Sequence, residues 1–204
     1  LDVLLFDRSS RQAKLTAAGH ELLREGERLL ADIDAIANRV KRVATGWESE
    51  FTIAVDGIID KVTIMELCEA FLAQSPPTRL KLRDETLTGT LEALTNGQAD
   101  LALGIAGTPG DSGAATGLHS HPLGAMRFVF AVSPQHPLAH APAPLSDVLI
   151  GQHRAVAVAD SVKRGTGMTV GLLPGQDVFT VPNMQSKIDA QVRGLGVGFV
   201  PESL

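Results

Sequence analysis

Residues 15–47 read LTAAGHELLREGERLLADIDAIANRVKRVATGW and contain no proline. Apolar or small residues recur at Leu15, Gly19, Leu22, Gly26, Leu29, Ile33, Ile36, Val40, Val43 and Trp47, alternately four and three positions apart. That is the a/d period of a coiled-coil seam. Thr16 stands where an N-cap belongs and Gly46 where such a helix stops, with Lys41 and Arg42 placed to suit the dipole. The pattern predicts one helix over about 16–46, a rod of roughly 45 Å. Its other faces are charged: Glu21, Arg24, Glu25, Arg28, Asp32 and Arg39. One narrow apolar stripe asks for a partner helix, most simply the same helix of a second chain, meeting through Leu22, Leu29, Ile33, Ile36, Val40 and Val43. The alternative is a long amphipathic helix lying along its own domain.

The chain of 204 residues is long enough for one large or two small domains beside this helix. Its 44% hydrophobic and 20% charged residues are those of an ordinary soluble globular protein. No apolar run reaches the ~18 residues of a membrane span, and no basic-then-apolar leader is seen, so no membrane partner is expected. Cys68 is the only cysteine, which excludes an internal disulfide and fits a reducing cytoplasm. It sits in an apolar helical pattern and reads as a core thiol. The net charge of −5 argues against a nucleic-acid coat. Arg8, Arg11 and Lys14 nevertheless form an acid-free basic run, while residues 51–204 carry 10 basic against 14 acidic residues. Any polyanion contact therefore belongs to the N-terminal end.

Ahead of the helix, Val3–Phe6 and Ala13–Leu15 are short extended pieces around a basic tip, a hairpin too small to fold alone. After Trp47 the pattern changes. Phe51–Val55 reads as a strand, Asp56-Gly57 as a turn, Val62–Ala73 as a helix ended by Ser75-Pro76-Pro77, and Arg79–Arg83 as a strand. Thr88–Thr95 reads as a helix closed by Asn96-Gly97, and Ala99–Ile105 as a mostly buried strand. Strand and helix alternating at this spacing predict a parallel sheet. Residues 106–117 are Gly/Ala/Thr-rich and predict a surface loop. Leu118–Leu123 and Arg127–Val132 read as strands, Ala139–Pro144 as irregular, and Leu145–Leu149 as a short helix at most. A second strand–helix set follows in Ala155–Val158, Val178–Val181, a helix over about 184–193, and Gly198–Pro201.

The run Leu5-Phe6-Asp7-Arg8, then Arg11, then Leu15-Thr16-Ala17-Ala18-Gly19 and Leu22-Leu23 resembles the LysR-type transcriptional regulators. There it is the wing of a winged helix-turn-helix leading into the dimerising linker helix. Three further stretches resemble the effector-binding module of those regulators: Gln98–Gly104, Phe130–Leu138, and Val192–Pro201. The resemblance covers nearly the whole chain. It implies an α/β fold in which the long N-terminal linker helix precedes a two-lobed periplasmic-binding-protein-like module (type 2), itself preceded by the remnant of a winged helix-turn-helix. The implied divisions are 1–15 (wing remnant), 16–47 (linker helix), 48–125 (lobe I) and 126–204 (lobe II). In the family several dozen residues precede this point and hold the recognition helix, and several dozen follow and return to the first lobe. The resemblance thus implies an internal stretch of a longer protein.

Catalysis has no visible carrier: no Gly-x-Ser-x-Gly elbow occurs and no Cys/His or paired-carboxylate arrangement stands out. Gly194-Leu195-Gly196-Val197-Gly198 follows a helix and precedes a strand, the reverse of a dinucleotide loop, and reads as a helix C-cap and tight turn. His119 and His121 would share one face of a strand but have no third ligand near in sequence, so no metal is assigned. Nor is any cofactor.

The better site is a cleft. In open parallel sheets ligands sit beyond the carboxyl ends of strands. Those ends are Asp56, Gly57, Ile58 and Ile59; Glu85, Thr86 and Leu87; Gly104, Ile105 and Ala106; and, from the second set, Val132, Ser133, Asn183 and Met184. The resemblance implies that these positions line an effector pocket and that Arg8 and Arg11 approach DNA from the wing. Free helix-end amides favour an anion, whereas Asp56, Asp60 and Glu85 oppose one. If two of those acids face the cleft, a ligand offering donors or a cation is expected. The partners implied are promoter DNA, a small-molecule effector, a homodimer or homotetramer and, as a further candidate, RNA polymerase. The competing expectations are a solute-binding protein of similar fold without a DNA-binding role, and an enzyme on an α/β scaffold, which only the fold supports.

Overall fold

The computed structural model describes residues 3–7, 13–74, 76–105, 117–162 and 167–204. Two compact units are distinguished, residues 1–51 with 76–80 and residues 52–75 with 81–204.

In the first unit β1 (Phe6–Asp7) and β2 (Lys14–Leu15) pair antiparallel, Phe6 against Leu15. They lead into α1 (Ala17–Thr45), and both predicted caps are present. Thr16 Oγ1 accepts from the Gly19 amide at 3.0 Å, and Gly46, at φ +76°, donates its amide to the Arg42 carbonyl at 2.7 Å. Gly19 differs from its expected place in the seam. A Cβ there would lie 2.1 Å from the Leu5 carbonyl oxygen, so this glycine lets the hairpin dock on the helix. Further along, the seam side chains are exposed: Ile33 by 60%, Ile36 by 51% and Val43 by 86%. Ion pairs of Arg24 with Glu21 and Glu25 decorate the surface and contribute little to stability.

The second unit begins in β3 (Glu50–Asp56), whose last five residues are buried. Then come α2 (Lys61–Leu72), capped by Asp60, β4 (Arg79–Glu85), α3 (Thr88–Thr95) and β5 (Leu101–Leu103). The sheet order is β4-β3-β5, with β3 and β5 parallel. Asp100 pins that pair, its carboxylate accepting from the Thr52 amide at 2.8 Å. Ala54, Ala93 and Ala99 form the core, small side chains that let α3 lie close on the sheet. Cys68 is buried on α2, as a core thiol should be.

The second strand–helix set contains β6 (Phe128–Ala131), α4 (Asp147–Ile150), β7 (Ala155–Val158), β8 (Val178–Val181), α5 (Met184–Val192) and β9 (Gly198–Pro201). β7 pairs parallel with β8, β6 antiparallel with β9, and Val197 bridges to Ala155, linking the two pairs. Val156, Val181 and Ala190 form its core.

Three expectations change. Residues 118–123 are irregular rather than a strand, consistent with Pro122, which cannot donate to a ladder. β5 is shorter than 99–105 and Leu101 is 38% exposed, because this strand pairs on one side only, with β3. A short 3-10 turn, Pro137–His140, enters the stretch read as irregular. Among the described residues no helix is long and apolar enough to cross a membrane.

Candidate functional site

Three loops of the first strand–helix set converge on one carboxylate. Asp56, at the end of β3, is 4% exposed. Its Oδ1 accepts from the Ile58 amide at 3.0 Å, and its Oδ2 from the Leu87 amide at 2.8 Å and the Thr90 hydroxyl at 3.1 Å. Gly104, at φ +88°, closes the group from the end of β5: a Cβ there would lie 2.9 Å from Asp56 Cβ and 3.0 Å from Ile59 Cγ1. Burial pushes the Asp56 carboxyl above its usual range against these hydrogen bonds, and the charge of Asp160 adds to the rise. Leu87 adopts φ 53° and ψ −121°, a backbone state that costs a non-glycine residue about 1–3 kcal/mol. The Asp56 carboxylate holds the Leu87 amide in that state.

A second carboxylate reaches the same loops from the end of β7. Asp160 accepts from Thr88 Oγ1 at 2.5 Å and from the Gly89 amide at 3.2 Å. Within its own segment it accepts from the amides of Val162 at 3.1 Å and Met168 at 2.8 Å. Burial alone would raise this carboxyl, but the four donors together hold it below its usual range. α3 has no capping side chain of its own at Leu87, and Asp160 takes that place. Ser161 completes the clasp. Its hydroxyl donates to Glu85 at 2.7 Å and accepts from the Thr86 amide at 2.9 Å, while Thr86 Oγ1 donates to the Ala159 carbonyl at 2.7 Å. Glu85 is in turn paired with Arg83 at 2.7 Å. Ser161 is thus held by a carboxylate and backbone groups, which fix the position of its hydroxyl.

The approach depends on Gly89, where a Cβ would lie 1.9 Å from Ser161 Oγ and 2.9 Å from the Ser161 carbonyl carbon. Gly89→Ala is therefore expected to part the two segments and lower unfolding free energy by about 2 kcal/mol, read from the urea midpoint.

Of the residues predicted for the cleft, Asp56, Gly57, Ile58, Ile59, Glu85, Thr86, Leu87 and Gly104 come together around this network. Met184 joins them, since a Cβ at Gly57 would lie 3.5 Å from Met184 Cβ and 3.9 Å from Thr86 Cγ2. Asn183 caps the same end of α5 through the Ser186 amide. Val132 and Ser133 are not drawn into the network. Ser133 bonds Gln135 and lies beside Gly194, at the far end of α5. Ile105 is exposed, and Ala106, Arg8 and Arg11 lie outside the described residues.

Each of the three acids has partners within the fold. Asp56 is satisfied internally, Asp60 caps α2 through Thr63, and Glu85 is held by Arg83 and Ser161. His119 and His121 share no strand face, because that strand is absent; among the described residues no metal-ligating cluster occurs. Thr88, Gly89, Thr90, Asp160 and Ser161 were not read from the sequence. The strand-end rule that selected Asp56 would also have selected Asp160, had it been applied to β7.

Residues 44–204 match the family described as LysR substrate binding domain. The uncharacterised HTH-type transcriptional regulator YeeY of Escherichia coli K12 is 35% identical over 204 residues, all of this chain and 65% of that protein. The HTH-type transcriptional activator AllS of Klebsiella pneumoniae is 32% identical over 203 residues, 99% of this chain and 74% of AllS. The full-length structure of AphB, a virulence activator of Vibrio cholerae, superposes with a TM-score of 0.55 at 18% identity, covering 98% of this chain and 67% of AphB. The chain therefore spans about two thirds of the length of such relatives.

Proposed function

The chain belongs to the LysR family of transcriptional regulators, and on that premise we propose that it is the linker helix and effector-sensing part of a cytoplasmic, promoter-binding regulator. In this reading residues 1–15 are the end of the DNA-binding wing, with Arg8 and Arg11 facing DNA. Residues 16–47 dimerise through Leu22, Leu29, Ile33, Ile36, Val40 and Val43, as a homodimer or within a homotetramer. Residues 48–125 and 126–204 are two lobes around the effector cleft. Asp56–Ile59, Glu85–Leu87, Gly104–Ala106, Asn183 and Met184 line the cleft.

The observation that supports this best is the clasp of Thr86, Thr88 and Gly89 with Ala159, Asp160 and Ser161, next to the strained Leu87. A few hydrogen bonds between two strand–helix sets make an element that a ligand can bias, provided it binds the open and closed arrangements with different affinity. The test is a gel shift of the full-length protein on its own promoter, across a panel of small metabolites, with mass measured in solution. We expect specific retardation by a dimer or tetramer and a shift in apparent affinity with one ligand. A monomer that binds a solute but no DNA would replace this function with the solute-binding alternative.

A further inference from the structure

Two polar side chains on the inner face of α5 take no part in the clasp. Lys187 is 6% exposed and Gln191 is 4% exposed, one helical turn further on. The Gln191 Nε2 is buried without a hydrogen-bond partner. Among the described residues, Lys187 makes no ion pair and its ammonium no hydrogen bond. Burial alone draws that ammonium below its ordinary value of 10.5. Both groups converge on the start of β9, where a Cβ at Gly198 would lie 3.1 Å from Gln191 Nε2 and 3.3 Å from Lys187 Nζ.

Folded proteins rarely leave a buried donor such as the Gln191 amide unmet, and a largely desolvated ammonium beside it adds a second donor. Two donors turned toward one glycine are the inverse of an oxyanion. They suit the paired oxygens of a carboxylate, sulfate or phosphate, which would supply the acceptors this interior lacks. Met184 precedes Lys187 by three residues on the same buried face and packs against Gly57, so the stripe Met184–Lys187–Gln191 runs from the candidate cleft into the second set.

We propose that Lys187 and Gln191 form a binding site for one small oxyanion group, carried by an organic acid or free in solution. The site deepens the effector reading only in naming the ligand's charge; the donor pair stands on α5 and β9 alone.

The test is calorimetric titration of the full-length protein with sodium acetate and, separately, sodium sulfate, with ionic strength held by chloride. Saturable binding is expected, weakened at least tenfold in Lys187→Met and in Gln191→Leu. Acetate alone binding would mark a carboxylate site, sulfate alone an inorganic oxyanion site, and both a general oxyanion site. Lys187→Met should also melt at higher temperature than the parent when no anion is added, because a largely desolvated ammonium has gone. Should that variant fail to fold, Gln191→Leu, which keeps the lysine, bears the comparison. Absence of saturable binding to the parent, or unchanged binding in the variants, overturns the site. If the anions bind through Lys187 but leave promoter affinity unchanged, the oxyanion site stands and the effector reading falls.

Discussion

Asp56→Ala is expected to lower unfolding free energy by about 4 kcal/mol, moving the urea midpoint well below that of the parent. The carboxylate satisfies three donors, and two of them, the Leu87 amide and the wholly buried Thr90 hydroxyl, share one oxygen. A buried donor left unmet costs about 1–3 kcal/mol. Release of the strain at Leu87 returns part of that, since nothing would then hold φ at 53°. Asp56→Asn keeps one acceptor oxygen and should lose about half as much. The two variants also separate charge from hydrogen bonding by pH. Burial raises the folded carboxyl above its unfolded value of 3.8, so the folded state holds the proton more tightly than the unfolded one. The contribution of Asp56 to stability is therefore greatest at low pH. It declines as pH climbs from 3.8 through the folded value and is constant above that. Asp160 has the opposite sign: its depressed carboxyl adds stability above its unfolded value, and loses it as pH falls through the folded one. In Asp56→Asn the declining component should vanish and the Asp160 component persist. A loss below about 1 kcal/mol in Asp56→Ala would show that the three loops are held by other contacts.

Asp56 also marks how far sequence could be read. The elements whose ends carry their own chemistry were legible. Thr16 caps α1 as acceptor of a backbone amide, and Gly46 stops it in a left-handed turn. The apolar runs Ala155–Val158, Val178–Val181 and Gly198–Pro201 match their strands residue for residue. Local capping and periodicity suffice there. Residues 118–123 failed because alternation promises a strand only where a neighbouring strand offers its ladder. The site was half legible for a related reason. The strand-end rule found the loops, but the duty of each carboxylate depends on donors 31 to 72 positions away, such as Leu87 for Asp56 and Thr88 for Asp160. Asp56 and Glu85 were read as strand-end positions, and the partners they hold within the fold came from the structure. Lys187 and Gln191 carry residue types that sequence assigns to solvent, and only packing reveals their burial.

The seam of α1 yields the other large effect. Replacing Ile33 and Ile36 together by lysine is expected to weaken self-association of the full-length protein about a thousandfold, some 4 kcal/mol. Both side chains are more than half exposed in the single chain, so a partner helix has roughly half of each left to cover. Full burial of an isoleucine contributes about 1.5–3 kcal/mol, and a symmetric dimer loses four such contacts, each by about 1 kcal/mol. The introduced ammonium groups would face one another across the seam and add to the loss. Freed of its partner, a 29-residue helix of this composition should also fray, so helical content is expected to fall with the mass. Ala35→Lys, two positions beyond Ile33 and off the seam, is the control and should leave both unchanged. Sedimentation equilibrium across micromolar concentrations reads the mass, and far-ultraviolet dichroism the helix. A double variant that still sediments as a dimer would place the interface elsewhere on the protein, and the exposed stripe of α1 would then need a different occupant.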